Sequence, residues 1–555
     1  MVRIFEVELD VPPSAAQAWS LQHEPSRRAG AAESLDAALV NVLAALPRVV
    51  LVPNPDSPGT GSRGSQANGA QVTTTCFDGS DKLTVAGMQV TLDTSPAGRR
   101  VAVVQRACYS PGVILCEILY EAPLEADAPM SEAFAAAPDK LRHTLGDAGN
   151  FVPLAAQTSM RHHWQWSAEN GIVVDIVLDR AVAPAQDGAP LRRELRLTTA
   201  YVADDVVPSL TALFAVANEL VAAMPAFPVL RPVLDRMRDA ANASGSDARD
   251  GSTATAAITA TRAAPIDLTA ISTPHAALTA IGDNLADHWF GNDAGVRDAV
   301  NTEFVHQMRV AQRRLRTALR IFPHWADEAW QTRLAPDLKW LGSVLGDARD
   351  WDVFVDSTLP ALAAADTDRA GWDATRERAA TRRLEARERV QTALASARYA
   401  HLALAWLEWL SGLPSREPPV KAAGHSLRAY ANKRVARYYK RLADAPKLTT
   451  LDEKSRHRER IQAKYLRYAL EFFESIASRK TRSKSAKTVA RMQSVLGDGN
   501  DAAVALRFLA QVDAPPYQSG FAQGWCEASK RYTAQEGERL LRRLRKPKIT
   551  GGAAG

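Results

Sequence analysis

Residues 303–322 read "EFVHQMRVAQRRLRTALRIF" and gather His306, Arg309, Arg313, Arg316 and Arg320, alongside Arg314, in one short stretch. At about 100° per residue, His306, Arg309, Arg313, Arg316 and Arg320 fall within an arc of roughly 80°. Phe304, Met308, Ala311, Leu315, Ala318, Leu319 and Phe322 take the opposite side and are expected to face a core. Arginine offers planar, permanently charged donor forks, so a row of them suits bidentate hydrogen bonding to oxyanions. Like charges three and four residues apart on a helix repel by about a few tenths of a kcal/mol per pair. The stripe is read as lacking the i,i+4 acids that would relieve this, which leaves an external anion as the compensating charge.

The stripe occurs twice. At a shift of 151 residues, "VHQMRVAQRRLRTALRIF" aligns with "RHRERIQAKYLRYALEFF", so that His457, Arg460, Lys464 and Arg467 answer His306, Arg309, Arg313 and Arg316. The same ungapped shift carries "SVLGDARD" (343–350) onto "SVLGDGND" (494–501). In these blocks Gly346, Asp347 and Asp350 match Gly497, Asp498 and Asp501; the expectation is structural, with Gly ending a helix and Asp capping the next, and metal binding is the second reading. Further cations flank the stripes: Arg434, Arg437 and Arg441 in "NKRVARYYKRL", then Lys484, Lys487 and Arg491, with Lys339 at the matching place in the first copy. A single basic stripe is usually a solvated surface. Duplication at matched positions and a histidine heading each copy, in phase with the cations, favour a groove built for a linear chain of phosphates.

The elements that must hold these side chains can be read from pattern. From 273 to 545 the sequence is a series of amphipathic segments rich in Ala, Leu and Arg, which predicts a helical bundle with two repeats, about 273–415 and 420–545. The N-terminal half instead shows short β-branched or alternating runs at 3–11, 71–77, 88–94, 99–107, 113–121, 172–180 and 194–202, with a helix near 207–222. These predict a largely antiparallel sheet closed into a barrel, giving an α+β multidomain chain: a barrel domain at 1–240, a small-residue linker at 241–265 and a helical domain at 266–548. Residues 54–69 read as a long loop.

Composition agrees with two dissimilar halves. Of the 555 residues, those from 266 onward hold 47 Lys+Arg against 33 Asp+Glu, while the preceding ones hold 21 against 29. A basic half joined to an acidic one assigns any polyanionic partner to the C-terminal side. No secretory signal is visible at the N-terminus. The stretch 399–410, taken as the longest strongly apolar one, is too short to span a bilayer, so no membrane partner is expected. Four cysteines without a CxxC pair read as reduced packing residues of a cytoplasmic protein.

The paired segments "VHQMRVAQRRLRTALRIF" with "LGDARDWDVF" and "HRERIQAKYLRYALEFF" with "LGDGNDAAVA" resemble the CHAD family over about 270–545; the second copy departs at Asn500. The resemblance implies a duplicated four-helix bundle that binds inorganic polyphosphate through its basic helical faces. His306, Arg309, Arg313, Arg316, His457, Arg460, Lys464 and Arg467 would then be contacts, joined by Arg320, Lys339, Arg434, Arg437, Lys487 and Arg491. It also implies association with polyphosphate or other storage granules.

The N-terminal half resembles, more weakly, the CYTH family of triphosphate tunnels, through "FEVELDV", "FDGSDKLTVAGMQVTLD", "VVDIVLDR" and "RRELRLTT". Its pattern is broken. Asp10 replaces the lysine of an ExExK strand, Thr91 and Asp93 replace two phosphate-gripping arginines, and Arg196 stands where an acidic metal ligand belongs. Holding a divalent metal and clamping phosphates needs those acids and cations. The expectation is therefore a degenerate barrel without catalysis and without a cofactor. The alternative is an inorganic triphosphatase using Glu6, Glu8 and Glu194 with Mg²⁺ or Mn²⁺. A third reading is nucleic-acid binding, with Tyr430, Tyr438, Tyr439, Tyr465 and Tyr468 as stacking platforms.

Overall fold

The computed structural model describes residues 2–13, 15–16, 19, 31–52, 69–78, 87–145, 151–182, 193–202, 206–231, 259–298, 301–422 and 424–551. Most of the expected linker and of the 54–69 loop lies outside them. The chain forms two compact units: Met1–Ala257 with Ala395–Ser415, and Ile258–Leu394 with Arg416–Gly555.

The first unit is a ten-stranded antiparallel sheet. Its strands are β1 (Val2–Asp10), β2 (Val49–Leu51), β3 (Ala70–Asp78), β4 (Met88–Ser95), β5 (Gly98–Ser110), β6 (Val113–Leu124), β7 (Val152–Ser167), β8 (Val173–Ala181), β9 (Arg193–Ala200) and β10 (Phe227–Pro228). Eight of them close a ring in the order β1-β6-β5-β4-β3-β7-β8-β9, with β9 pairing back to β1; β2 and β10 attach to β7 and β1. A ring removes the open edges on which sheets aggregate. Strand alternation sorts the side chains. Phe5, Val7 and Leu9 are buried on one face of β1, while Glu6 and Glu8 project from the other.

Helix α1 (Ala31–Ala45) and helix α2 (Val206–Ala223) belong to this unit, and α2 packs on β1, β8 and β9. By length and composition α2 could span a bilayer, so it, rather than 399–410, is the most apolar long segment; Leu213, Phe214, Val216, Ala217 and Leu220 are fully buried. The helix Ala397–Ser411, between the two helical repeats in sequence, also packs against α2. Its His401 Nδ1 lies 2.8 Å from Asn218 Oδ1, and Tyr399 packs on Phe227. Gly112, at φ +76°, admits it: a Cβ there would lie 2.8 Å from Leu407. No disulfide joins the cysteines, of which Cys76, Cys116 and Cys526 are buried and Cys108 is exposed.

The second unit is all helical. Helices α3 (Pro274–Phe290), α4 (Thr302–Ile321), α5 (Ala335–Val353) and α6 (Asp373–Leu394) form one set of four; α7 (Leu427–Ala443), α8 (Glu453–Phe472), α9 (Lys487–Gln511) and α10 (Pro516–Arg543) form the other. The 151-residue shift maps α4 onto α8 end to end. It also maps their N-caps: Asn301 accepts from the Glu303 amide at 2.9 Å, and Asp452 from the Ser455 amide at 2.7 Å. Each such cap contributes about 1 kcal/mol.

Candidate anion-binding groove

Helices α4 and α8 pack against each other. Phe304, Met308, Ala311, Leu315, Ala318, Leu319 and Phe322 are buried as the pattern requires, as are Leu466, Ala469, Leu470 and Phe473. Their polar faces meet. The Lys464 ammonium is pushed down to about 8 by burial and then by Arg313, Arg460, Arg316 and Arg309. Arg309 is likewise lowered by burial and by Arg313, Arg460 and Arg349, and Arg460 by burial and by Arg313. One cluster of five cations thus draws on both repeats. His306 joins it at the edge, held below the usual imidazole range by burial and Arg349.

Two acids accompany the cluster, and the sequence reading missed them. Arg309 Nη2 donates to Asp350 Oδ1 at 3.3 Å, and Asp501 stabilises Arg460 across the pseudo-twofold. Burial raises both carboxyl groups. Gly346 and Gly497 therefore do not end helices, because both lie inside α5 and α9. A Cβ on Gly346 would sit 2.2 Å from Arg309 Nη1, so this glycine makes room for the guanidinium. The recurrence of Asp at one offset from both stripes was the available signal.

The remaining sequence candidates divide. Arg320 lies over the Tyr465 ring at 5.1 Å, and Tyr438 stacks near Tyr465 while sensing Arg434, Arg437, Arg441 and Arg320, so the stripe continues onto α7. Arg434 is buried against Tyr430. Arg467 does have an i,i+4 acid, Glu471 at 3.8 Å, contrary to the sequence reading. Arg491 lies 3.8 Å from Glu536. Lys339 and Lys487 are exposed on α5 and α9, and no contact among the described residues ties them to the cluster. His457 Nδ1 is 3.2 Å from Asn500 Oδ1, where the first repeat has Arg349 near His306. Arg314 is a core residue, donating to Glu471 at 2.7 Å and Asn284 at 2.9 Å.

Among the described residues Arg313, Arg316, Arg460 and Lys464 have no acid within salt-bridge distance, and Arg313 Nε is buried without a hydrogen-bond partner. These are desolvated cations carrying an unrelieved cost.

The ring interior is different. Arg106 pairs with Glu6, and Arg161 Nε and Nη2 grip Asp179 at 2.8 and 3.1 Å while its Nη1 donates to Asp93 at 2.9 Å. Burial opposes the Arg161 charge, but Asp179 and Asp93 outweigh it and raise its pKa. Arg196 lies 3.9 Å from Asp179. Asp93 and Arg196, the two main departures from a triphosphate tunnel, are thus wired into internal pairs. Among the described residues no group of three or more His, Cys, Asp or Glu side chains converges as metal ligands.

Fold and groove together define a duplicated all-helical unit with a cationic seam, attached in sequence to an antiparallel ring. The chain belongs to the CHAD domain family, whose match covers residues 280–510. The CHAD domain from the plant Ricinus communis is 31% identical over 52% of this chain and 99% of its own, with a TM-score of 0.45. A putative adenylyl cyclase from Hippeastrum, described as having a dominant triphosphatase activity, matches at 14% identity over 43% of this chain and 96% of its own (TM-score 0.27). A putative adenylate cyclase from Bacillus halodurans matches at 10% over 39% and 91% (TM-score 0.22). No curated protein matches the chain.

Proposed function

We propose that this protein binds inorganic polyphosphate along the α4–α8 seam and performs no catalysis there. The observation that carries the reading is the convergence on Lys464 of Arg309, Arg313, Arg316 and Arg460, drawn from both repeats. A linear polyanion laid along the seam would receive guanidinium forks from α4 and α8 and relieve the mutual repulsion of five cations held against only two acids. The ring serves as a scaffold, since the inward arginines Arg106 and Arg161 are already bound by acids. Localisation to cytoplasmic polyphosphate or storage granules follows from this reading.

The test is retention of the full chain on immobilised polyphosphate. Charge reversal at Arg309, Arg313, Arg460 and Lys464 abolishes retention while circular dichroism shows unchanged helicity. Undiminished binding by that folded variant refutes the seam. Single-stranded nucleic acid at equal phosphate concentration leaves retention intact if the site prefers the mineral chain.

A further inference from the structure

The second repeat holds a cavity of about 370 Å³ between α8, α9 and α10, within the size range of small-molecule sites (about 300–1,000 Å³). Its walls include Leu496, Ala503 and Ala534, and its lining also includes His457 and Arg460, the head of the α8 stripe. The cavity thus opens onto the groove's own cations.

Its origin is local. Gly499 brings α9 close to α10, since a Cβ there would lie 2.5 Å from Thr533 Oγ1. The shift of 151 places Arg349, Asp352 and Arg383 of the first repeat at the positions of Asn500, Ala503 and Ala534. In that repeat the larger charged side chains fill the corresponding region: Arg387 Nε and Nη2 donate to buried Asp352 Oδ1 at 3.1 and 2.8 Å, and Arg383 pairs with Asp356 at 2.8 Å. The two repeats are therefore alike along the seam and unlike here.

An apolar wall cannot replace the hydration of a phosphate, so the cavity does not suit a phosphate chain alone. It suits an uncharged body with phosphates attached. Glu453, Asn500 and Thr533 also line it, and a purely aliphatic body would leave these polar groups unpaired on binding. We infer that the cavity receives the nucleoside of a nucleoside triphosphate, whose phosphates run past His457 and Arg460 toward Lys464. Successive residues of that stripe lie one helical turn apart, about 5.4 Å. This inference rests on the anion-binding reading of the seam, but its distinguishing element is the body and not the phosphates.

The experiment compares ATP with tripolyphosphate by equilibrium binding to the full chain. ATP is expected to bind about tenfold tighter or better, which is the signature of a buried non-phosphate body. Ala503→Phe fills the cavity and brings ATP down to the level of tripolyphosphate, while long-chain polyphosphate retention stays within about twofold. Ala534→Leu repeats the test from α10 if the first variant does not fold. Photo-crosslinking with 8-azido-ATP labels peptides from α9 or α10. Equal affinity for ATP and tripolyphosphate in the parent protein, or unchanged ATP binding in both folded variants, overturns the inference. Failure of polyphosphate retention in the parent protein would refute the seam as a polyphosphate site while leaving the ATP comparison readable.

Discussion

Lys464 is where the cost of the seam is concentrated. Its ammonium is held down to about 8 by burial and by four arginines, well below the 10.5 of a free lysine. In the free protein it is charged below about pH 8 and neutral above, whereas a bound polyanion restores the proton. Polyphosphate affinity is therefore flat up to about pH 7.5 and then falls, approaching about tenfold per pH unit, as each binding event must take up one proton. Lys464→Arg removes the titrating group and flattens the profile, which isothermal titration at pH 7, 8 and 9 would resolve. Stability has the opposite sign. Because the folded pKa is depressed, the unfolded chain binds the extra proton between pH 8 and 10.5, so this group makes the ligand-free protein more stable as pH rises through that window. Urea melts across it would register the gain, and saturating polyphosphate would erase it.

At the scale of the helix, a pair of glycines separates function from propensity. Gly346 and Gly497 occupy matched interior positions of α5 and α9, where glycine costs about 1 kcal/mol relative to alanine. A Cβ at Gly497 meets nothing within 4 Å, but one at Gly346 collides with the Arg309 guanidinium. Gly497→Ala should raise stability by about 0.5–1 kcal/mol in thermal melts and leave binding untouched. Gly346→Ala should displace the guanidinium and weaken polyphosphate binding several-fold; unchanged binding would show that Arg309 does not depend on this position. The stripes were legible because a 3.6-residue period forces cations and core residues to opposite faces, and the duplication was legible because two blocks shared one shift. The counter-acids Asp350 and Asp501 were not, since an acid 41 residues from its arginine leaves no periodic trace. Strand β7 escaped notice for a related reason. Its inward Arg161 and His163 are satisfied by Asp179 and Asp175 inside the ring, so the segment carries a strand alternation in residues that read as polar loop. Helix α1 gave no signal that was recognised.

At the scale of the whole chain, sequence order and compact units disagree in one place. The helix Ala397–Ser411 lies between the two helical repeats, yet it belongs to the unit built on the ring. Its apolar content explains why: Leu402, Leu404, Trp406, Leu407, Trp409 and Leu410 are all buried, a set no solvent-facing connector could carry. Burial of each such side chain is worth about 1.5–3 kcal/mol, so uncovering several outweighs the stability of an ordinary domain. A fragment starting at residue 258 keeps this helix but loses α2 and the strands that cover it. Such a fragment should aggregate or bind a hydrophobic dye strongly, and its solubility should improve when Leu407 and Leu410 are both changed to lysine. If the unmodified fragment is instead monodisperse by light scattering and dye-silent, the helix must have found cover within the helical unit, and its assignment to the ring-based unit would be wrong.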